Sequence, residues 1–179
     1  MSNVKGYGTA RLQTDDAIKH VFVSKGKTDI IKTIQYRYVQ DFLNYRLYNL
    51  GFGDYDVATD EIFDDSNSNN GDMYAVFYTV LNTVQDFFQS FPEAMLMVQG
   101  SDSSAEFEAR CREDCRRNCA DVCKKRNRRI HVYRDYVNRN FDALKEEYIF
   151  YGGLDLEGVI SVEDYQPYRD YGAVFLQKR

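Results

Sequence analysis

No uninterrupted stretch of aliphatic, Met and Phe side chains exceeds the five residues Ala94–Val98, so no segment is apolar and long enough to span a bilayer as a helix. The N-terminus, Met1-Ser2-Asn3-Val4-Lys5, lacks the apolar core of a secretory leader, which makes a cytoplasmic location the expectation. Histidine is scarce: His20 and His131 stand more than a hundred residues apart, and no HExxH, Walker or nucleophile-elbow pattern occurs. The four cysteines include no C-x2-C pair of the kind found in zinc ribbons and fingers. Nothing here asks for catalysis by a familiar device.

What is present is a core-forming composition. Hydrophobic residues make up 44 % of 179, with 15 Tyr and 12 Phe, enough for one folded domain without staples. The net charge of −5 conceals a division. Residues 110–139 carry eleven Lys/Arg against four Asp/Glu, a balance of +7, so the remainder stands at −12. All four cysteines fall inside that basic stretch.

The chain is organised around 69–101. Met73, Phe77, Val80, Leu81, Val84, Phe87, Phe88 and Phe91 form one helical stripe, which Asn70 or Asp72 would cap and Pro92 would end. A strand, Ala94–Val98, follows. Before the helix, residues 1–16 read as a polar arm. Strands are expected at 18–24, 30–39 and 45–52, with a short edge strand at 61–63. Beyond Ser101 a second helix starts, continues through charged sequence to Arg129, and regains a core stripe at Ile130, Tyr133, Val137, Phe141, Leu144 and Tyr148. Gly152-Gly153 should end it, and 171–177 should close with a strand. The reading is α+β: an antiparallel meander on a long central helix, then strand, long helix and short terminal strands, in a single domain over 17–179.

Tyr48-Asn49-Leu50-Gly51-Phe52-Gly53-Asp54, Asn69-Asn70-Gly71-Asp72 and Gly100-Ser101 resemble motifs of a small uncharacterised family of Bacteroidota proteins. Arg129-Ile130-His131-Val132-Tyr133, Arg139-Asn140-Phe141 and Tyr151-Gly152 match later positions of the resemblance, which implies no established activity. It also implies that about twenty residues, near 105–127, are an insertion that bears the cysteines and much of the basic charge.

The cysteines are spaced C-x3-C-x3-C-x3-C, at Cys111, Cys115, Cys119 and Cys123. On a straight helix Cys111 and Cys123 would stand ~18 Å apart. A four-thiolate zinc site needs its sulfurs within roughly 4 Å of one another. A zinc site, or a disulfide, therefore requires a break near Arg117-Asn118; zinc alternatively requires pairing with a second subunit. The plain alternative is an apolar stripe of thiols on a polar helix. Neighbouring cations favour thiolates wherever the sulfurs are reduced or metal-bound.

Arg116, Arg117, Lys124, Lys125, Arg126 and Arg128 are the candidate polyanion contacts, for nucleic acid or for an acidic protein surface, including that of another copy. Gly100, Ser101, Arg129 and Tyr133 form a candidate anion site at a strand-to-helix junction, where a helix cap is the competing reading. The acidic group Asp54, Asp56, Asp60, Glu61, Asp64 and Asp65 lacks the EF-hand pattern and reads as a solvated loop. Two functions follow as expectations. The first is a non-enzymatic binding module acting through the basic arm. The second is a defence or toxin–antitoxin type effector using Ser101, Arg129 and Tyr133 around a phosphate.

Overall fold

A computed structural model describes residues 5–14, 17–63, 70–100, 102, 105–113, 119, 123–156 and 159–179. The fold is α+β with antiparallel strand pairing. The chain divides into two compact units, Met1–Ala94 and Met95–Arg179. Among the described residues no helix is long and apolar enough to cross a membrane.

The first unit is a meander. Its strands β1 (Ala10–Gln13), β2 (Ala17–Lys25), β3 (Asp29–Phe42), β4 (Tyr45–Asp56) and β5 (Glu61–Phe63) each pair antiparallel with the next. Part of the polar N-terminal stretch is thus ordered as β1. Leu43 and Asn44 both adopt positive φ, as a two-residue turn between twisted strands demands.

Alternation along β2 sends Ile18, His20, Phe22 and Ser24 inward, and leaves Val23 exposed. Registered neighbours Tyr36, Ile34 and Lys32 on β3, and Leu50 on β4, continue that buried face. Helix α1 (Met73–Ser90) covers it. Phe87 stacks on Tyr36 at 4.7 Å between centroids and meets Tyr48 edge-on at 5.2 Å, while Phe91 reaches Tyr48 at 5.2 Å. The buried face of α1 consists of Thr79, Thr83, Val84, Phe87 and Phe88. Phe77 and Leu81 of the predicted stripe are half-buried and Met73 is exposed. The helix is rotated from its apolar stripe because two threonines have partners: Thr79 Oγ1 accepts from the Tyr7 amide at 2.8 Å, and Thr83 Oγ1 lies 2.9 Å from the Tyr36 hydroxyl.

In the second unit the strands run in the order β6 (Ala94–Gln99), β9 (Ala173–Lys178), β7 (Tyr148–Leu156), β8 (Val159–Asp164). Helices α2 (Ala105–Glu113) and α3 (Arg128–Leu144) stand in place of one long helix. Phe141 of α3 packs against Phe150 and Tyr165 at 5.9 and 5.5 Å. Tyr148, at helical spacing from Leu144, instead opens β7. Gly152 and Gly153, expected to end a helix, lie within that strand. A Cβ on Gly152 would stand 2.1 Å from Tyr171 Cε1, so glycine here makes room for a ring instead of breaking an element.

Candidate functional site

The basic segment is shaped by an acid. Glu108 on α2 accepts from Arg112 one turn on, at 2.8 Å, and from Arg126 at 3.1 Å. The hydrogen bond from Arg112 and the two positive charges hold its carboxyl below the ordinary range against the opposing effect of burial. Three residues further along α2, Cys111 Sγ lies 3.5 Å from Sγ of the buried Cys123, which is three residues before Arg126. The chain therefore leaves α2 and comes back to it. A straight helix through the cysteines would hold those sulfurs far apart, ~18 Å for twelve residues at 1.5 Å each. Cys119 Sγ accepts from the Lys124 amide at 3.4 Å. Cys115, Arg116 and Arg117 lie outside the described residues. Among those that are described, no group of three or more His, Cys, Asp or Glu is placed to hold a metal ion.

Cys123 opens a turn closed by its carbonyl accepting from Arg126 N at 3.0 Å. Lys124, Arg126 and Arg128 are exposed around this turn, and Lys125 is half-exposed. Asn127, in the left-handed region at φ 60°, then sets the start of α3. Asparagine tolerates that conformation better than most residues.

The start of α3 is capped from a distance. Asn127 makes no side-chain cap bond; the buried Asp102 supplies the carboxylate, accepting from the Arg129 amide at 3.1 and 3.4 Å, and its carbonyl accepts from Asn127 N at 3.1 Å. Close by is Tyr133, whose phenol is pushed up to about 12 by burial, with Arg129 opposing and Asp102 adding to the rise. The candidate anion site thus brings Arg129 and Tyr133 together around a carboxylate of the chain's own. Gly100 is buried and Ser101 lies outside the described residues.

The sequence reading missed a second polar constellation, in the first unit. The buried Lys32 pairs with Asp54 beneath the ring of Phe52. Asp72, at the start of α1, spends its carboxylate on Ser24 at 2.6 Å and Tyr7 at 2.7 Å, making no side-chain cap bond to the helix it precedes. Burial alone would raise the Asp72 carboxyl; those two hydrogen bonds, helped by the charge of Lys32, bring it below the ordinary value. Tyr7 moves the other way, raised by burial and then by its bond to Asp72. Asn70 does not cap α1 either. Its side chain accepts from Thr28 N at 3.0 Å and donates to Thr28 O and Ser24 Oγ, both at 2.9 Å. Gly26 lies so close that a Cβ there would be 2.0 Å from the Asn70 carbonyl oxygen. The one signal in the sequence was that Asp54 and Asp72 are the last residues of two motifs carrying the resemblance.

The acidic group at 54–65 is likewise engaged. Asp60 accepts from Lys19 and Tyr55, both at 2.6 Å, and Asp56 accepts from the Ala58 amide at 2.8 Å. Asp64 and Asp65 lie outside the described residues.

A family model described as a family of unknown function (DUF6934) matches residues 3–106. The chain belongs to that family. The DUF6934 match contains every residue of the polar constellation around Lys32 and the three motifs of 48–54, 69–72 and 100–101. It stops within α2, so most of the basic segment falls beyond it. No curated protein and no solved structure matches the chain.

Proposed function

We propose that this member of DUF6934 is a non-enzymatic binding module whose basic segment contacts a polyanion, with a nucleic-acid backbone as the partner. The observation that carries this reading is the turn before α3, where Lys124, Arg126 and Arg128 are exposed side by side in the sequence with Lys125 partly so. Arg126 is partly neutralised by Glu108, while the sequence excess over residues 110–139 is +7. Such a surface attracts phosphates without reading bases.

The effector reading has less in its favour. A phosphate at Arg129 would meet the Asp102 carboxylate already on that residue's amide, and like charges disfavour the exchange.

Fluorescence anisotropy of labelled duplex and single-stranded oligonucleotides, taken across a salt series, tests the proposal. Log affinity should fall against log salt by about 0.9 per phosphate contact on duplex and about 0.7 on single strands. Replacing Lys124, Lys125, Arg126 and Arg128 with Gln should reduce the slope by roughly three. Absence of binding at micromolar protein in low salt would overturn it. The arm would then be an assembly device docking on the acidic body of another copy, and the same variant would elute from a sizing column as a smaller species.

A further inference from the structure

The two sulfurs brought together by the return of the chain to α2 have a chemistry of their own, whatever the segment binds. We propose that Cys111 and Cys123 are a redox dithiol, which a hydroperoxide converts to an intramolecular disulfide that ties α2 to the turn before α3.

Three observations place the pair. The Sγ atoms are 3.5 Å apart, roughly 1.5 Å more than a disulfide bond, a closure within reach of small side-chain rotations. The Glu108–Arg126 ion pair crosses between the same two stretches of chain, three residues outside the thiols on each side. The approach is therefore part of an antiparallel return and not an isolated near-contact. The two thiols also differ in access: Cys111 is partly exposed and Cys123 is 3 % exposed. Cys119, the other described cysteine, has its sulfur directed at the Lys124 amide.

The difference in access assigns the order of events. The Cys111 thiolate attacks one peroxide oxygen; an S–O bond forms, the O–O bond breaks, and the departing oxygen leaves as water after protonation. The Cys123 sulfur then attacks the sulfenic sulfur of Cys111. The S–S bond forms, the S–O bond breaks and a second water departs. Two thiols are oxidised by two electrons in all, and with hydrogen peroxide as the hydroperoxide one molecule is reduced to two waters. The bond closes a loop over 111–123, within the basic stretch.

The test uses the full-length reduced protein and hydrogen peroxide. Intact mass should fall by about 2 Da, reversibly with dithiothreitol, and the protein should remain monomeric on a non-reducing gel beyond any association already present. Non-reducing tryptic mapping should join the Cys111 peptide to the Cys123 peptide. Cys111→Ser and Cys123→Ser should each abolish the link, whereas Cys115→Ser and Cys119→Ser should keep it. A link through Cys115 or Cys119 in the unmodified protein would overturn the proposal, as would disulfide-joined dimers or no link with either peroxide or diamide. Peptide mapping of the unmodified chain decides the matter even where a serine variant folds badly.

Discussion

The ring of Tyr171 occupies the space above Gly152 where any other residue would carry its side chain: a Cβ would come within 2.1 to 2.4 Å of three ring carbons. The ring has no easy retreat. Tyr171 is 1 % exposed, its hydroxyl donates to Glu163 at 2.7 Å, and that oxygen accepts from Gln166 N at 3.1 Å.

Gly152→Ala should therefore destabilise the protein by about 1–3 kcal/mol or more, the range for forcing a methyl into a filled core. Urea denaturation measures it. Combining it with Tyr171→Leu, which removes the ring, should cost less than the two single losses added together. Additive losses would mean that the glycine serves some purpose other than seating the ring.

The Tyr36–Thr83 hydroxyl pair links α1 to the middle of the first sheet. Thr83 Oγ1 also donates to Val80 O at 2.8 Å, so the Tyr36 hydroxyl is the donor between them. Tyr36→Phe leaves a buried acceptor short of a partner and should cost about 0.5–1.5 kcal/mol. Thr83→Val removes that acceptor from the buried phenol and should cost about 0.5–1.5 kcal/mol, the range for a lost hydrogen bond. In the double variant the losses should fall short of the sum, since both singles remove the same hydrogen bond. A cycle with no coupling would show that the two oxygens contribute nothing to holding α1.

His20 gives the fold a pH dependence. It is buried with Thr9 Oγ1 3.2 Å from its Nδ1 and its ring edge-on to Tyr36. Burial lowers its pKa, Arg11 adds to the lowering, and Asp86 opposes it. The folded state thus binds a proton less readily than the unfolded chain, whose histidine titrates near ~6.5. Below that value unfolding takes up as much as about one proton, so stability falls as pH drops. The carboxylates with lowered pKa, Asp72, Asp60 and Glu108, follow the same sign in a lower window, below about 4. Thermal melts between pH 7.5 and 5 should show a decline that His20→Phe flattens. An unchanged profile in that variant would mean that some other group titrates there.

Strand β2 was legible from its alternation, β6 and β9 from short continuous apolar runs, and the central helix from an apolar stripe of helical spacing between turn and proline. What escaped the sequence depends on partners distant in the chain. Thr79 and Thr83 look like the polar side of α1 until Tyr7 and Tyr36 are in place to bond them. Gly152-Gly153 looks like a stop because nothing local shows Tyr171 approaching from twenty residues away. Tyr148 fits the stripe of α3, yet that helix closes with Lys145 N donating to Phe141 O, and Tyr148 turns into β7. The cations of the candidate site were visible as composition alone, whereas the approach of Cys111 to Cys123 depends on a return of the chain that no spacing announces. Lys32, Asp54, Asp72, Ser24 and Tyr7 come from five separate stretches, and no spacing rule connects them.

Asp102 separates the two readings of the junction between β6 and α2. As a cap, its carboxylate satisfies the Arg129 amide at the positive end of the α3 dipole, and Asp102→Ala should cost about 0.5–2 kcal/mol. Asp102→Asn keeps an oxygen acceptor and should lose less. As the occupant of an anion site, the carboxylate would leave behind a slot lined by the Arg129 amide and cation. Sulfate at tens of millimolar should then raise the melting temperature of Asp102→Ala more than that of the unmodified protein, with chloride at matched ionic strength as the reference. Because sulfate also strengthens burial in any protein, the difference between the two proteins is the readout. A destabilised alanine variant with no selective response to sulfate assigns Asp102 to capping alone. A selective response would show that the junction accepts an anion once its own carboxylate is removed, and would reopen the effector reading with Arg129 as its cation.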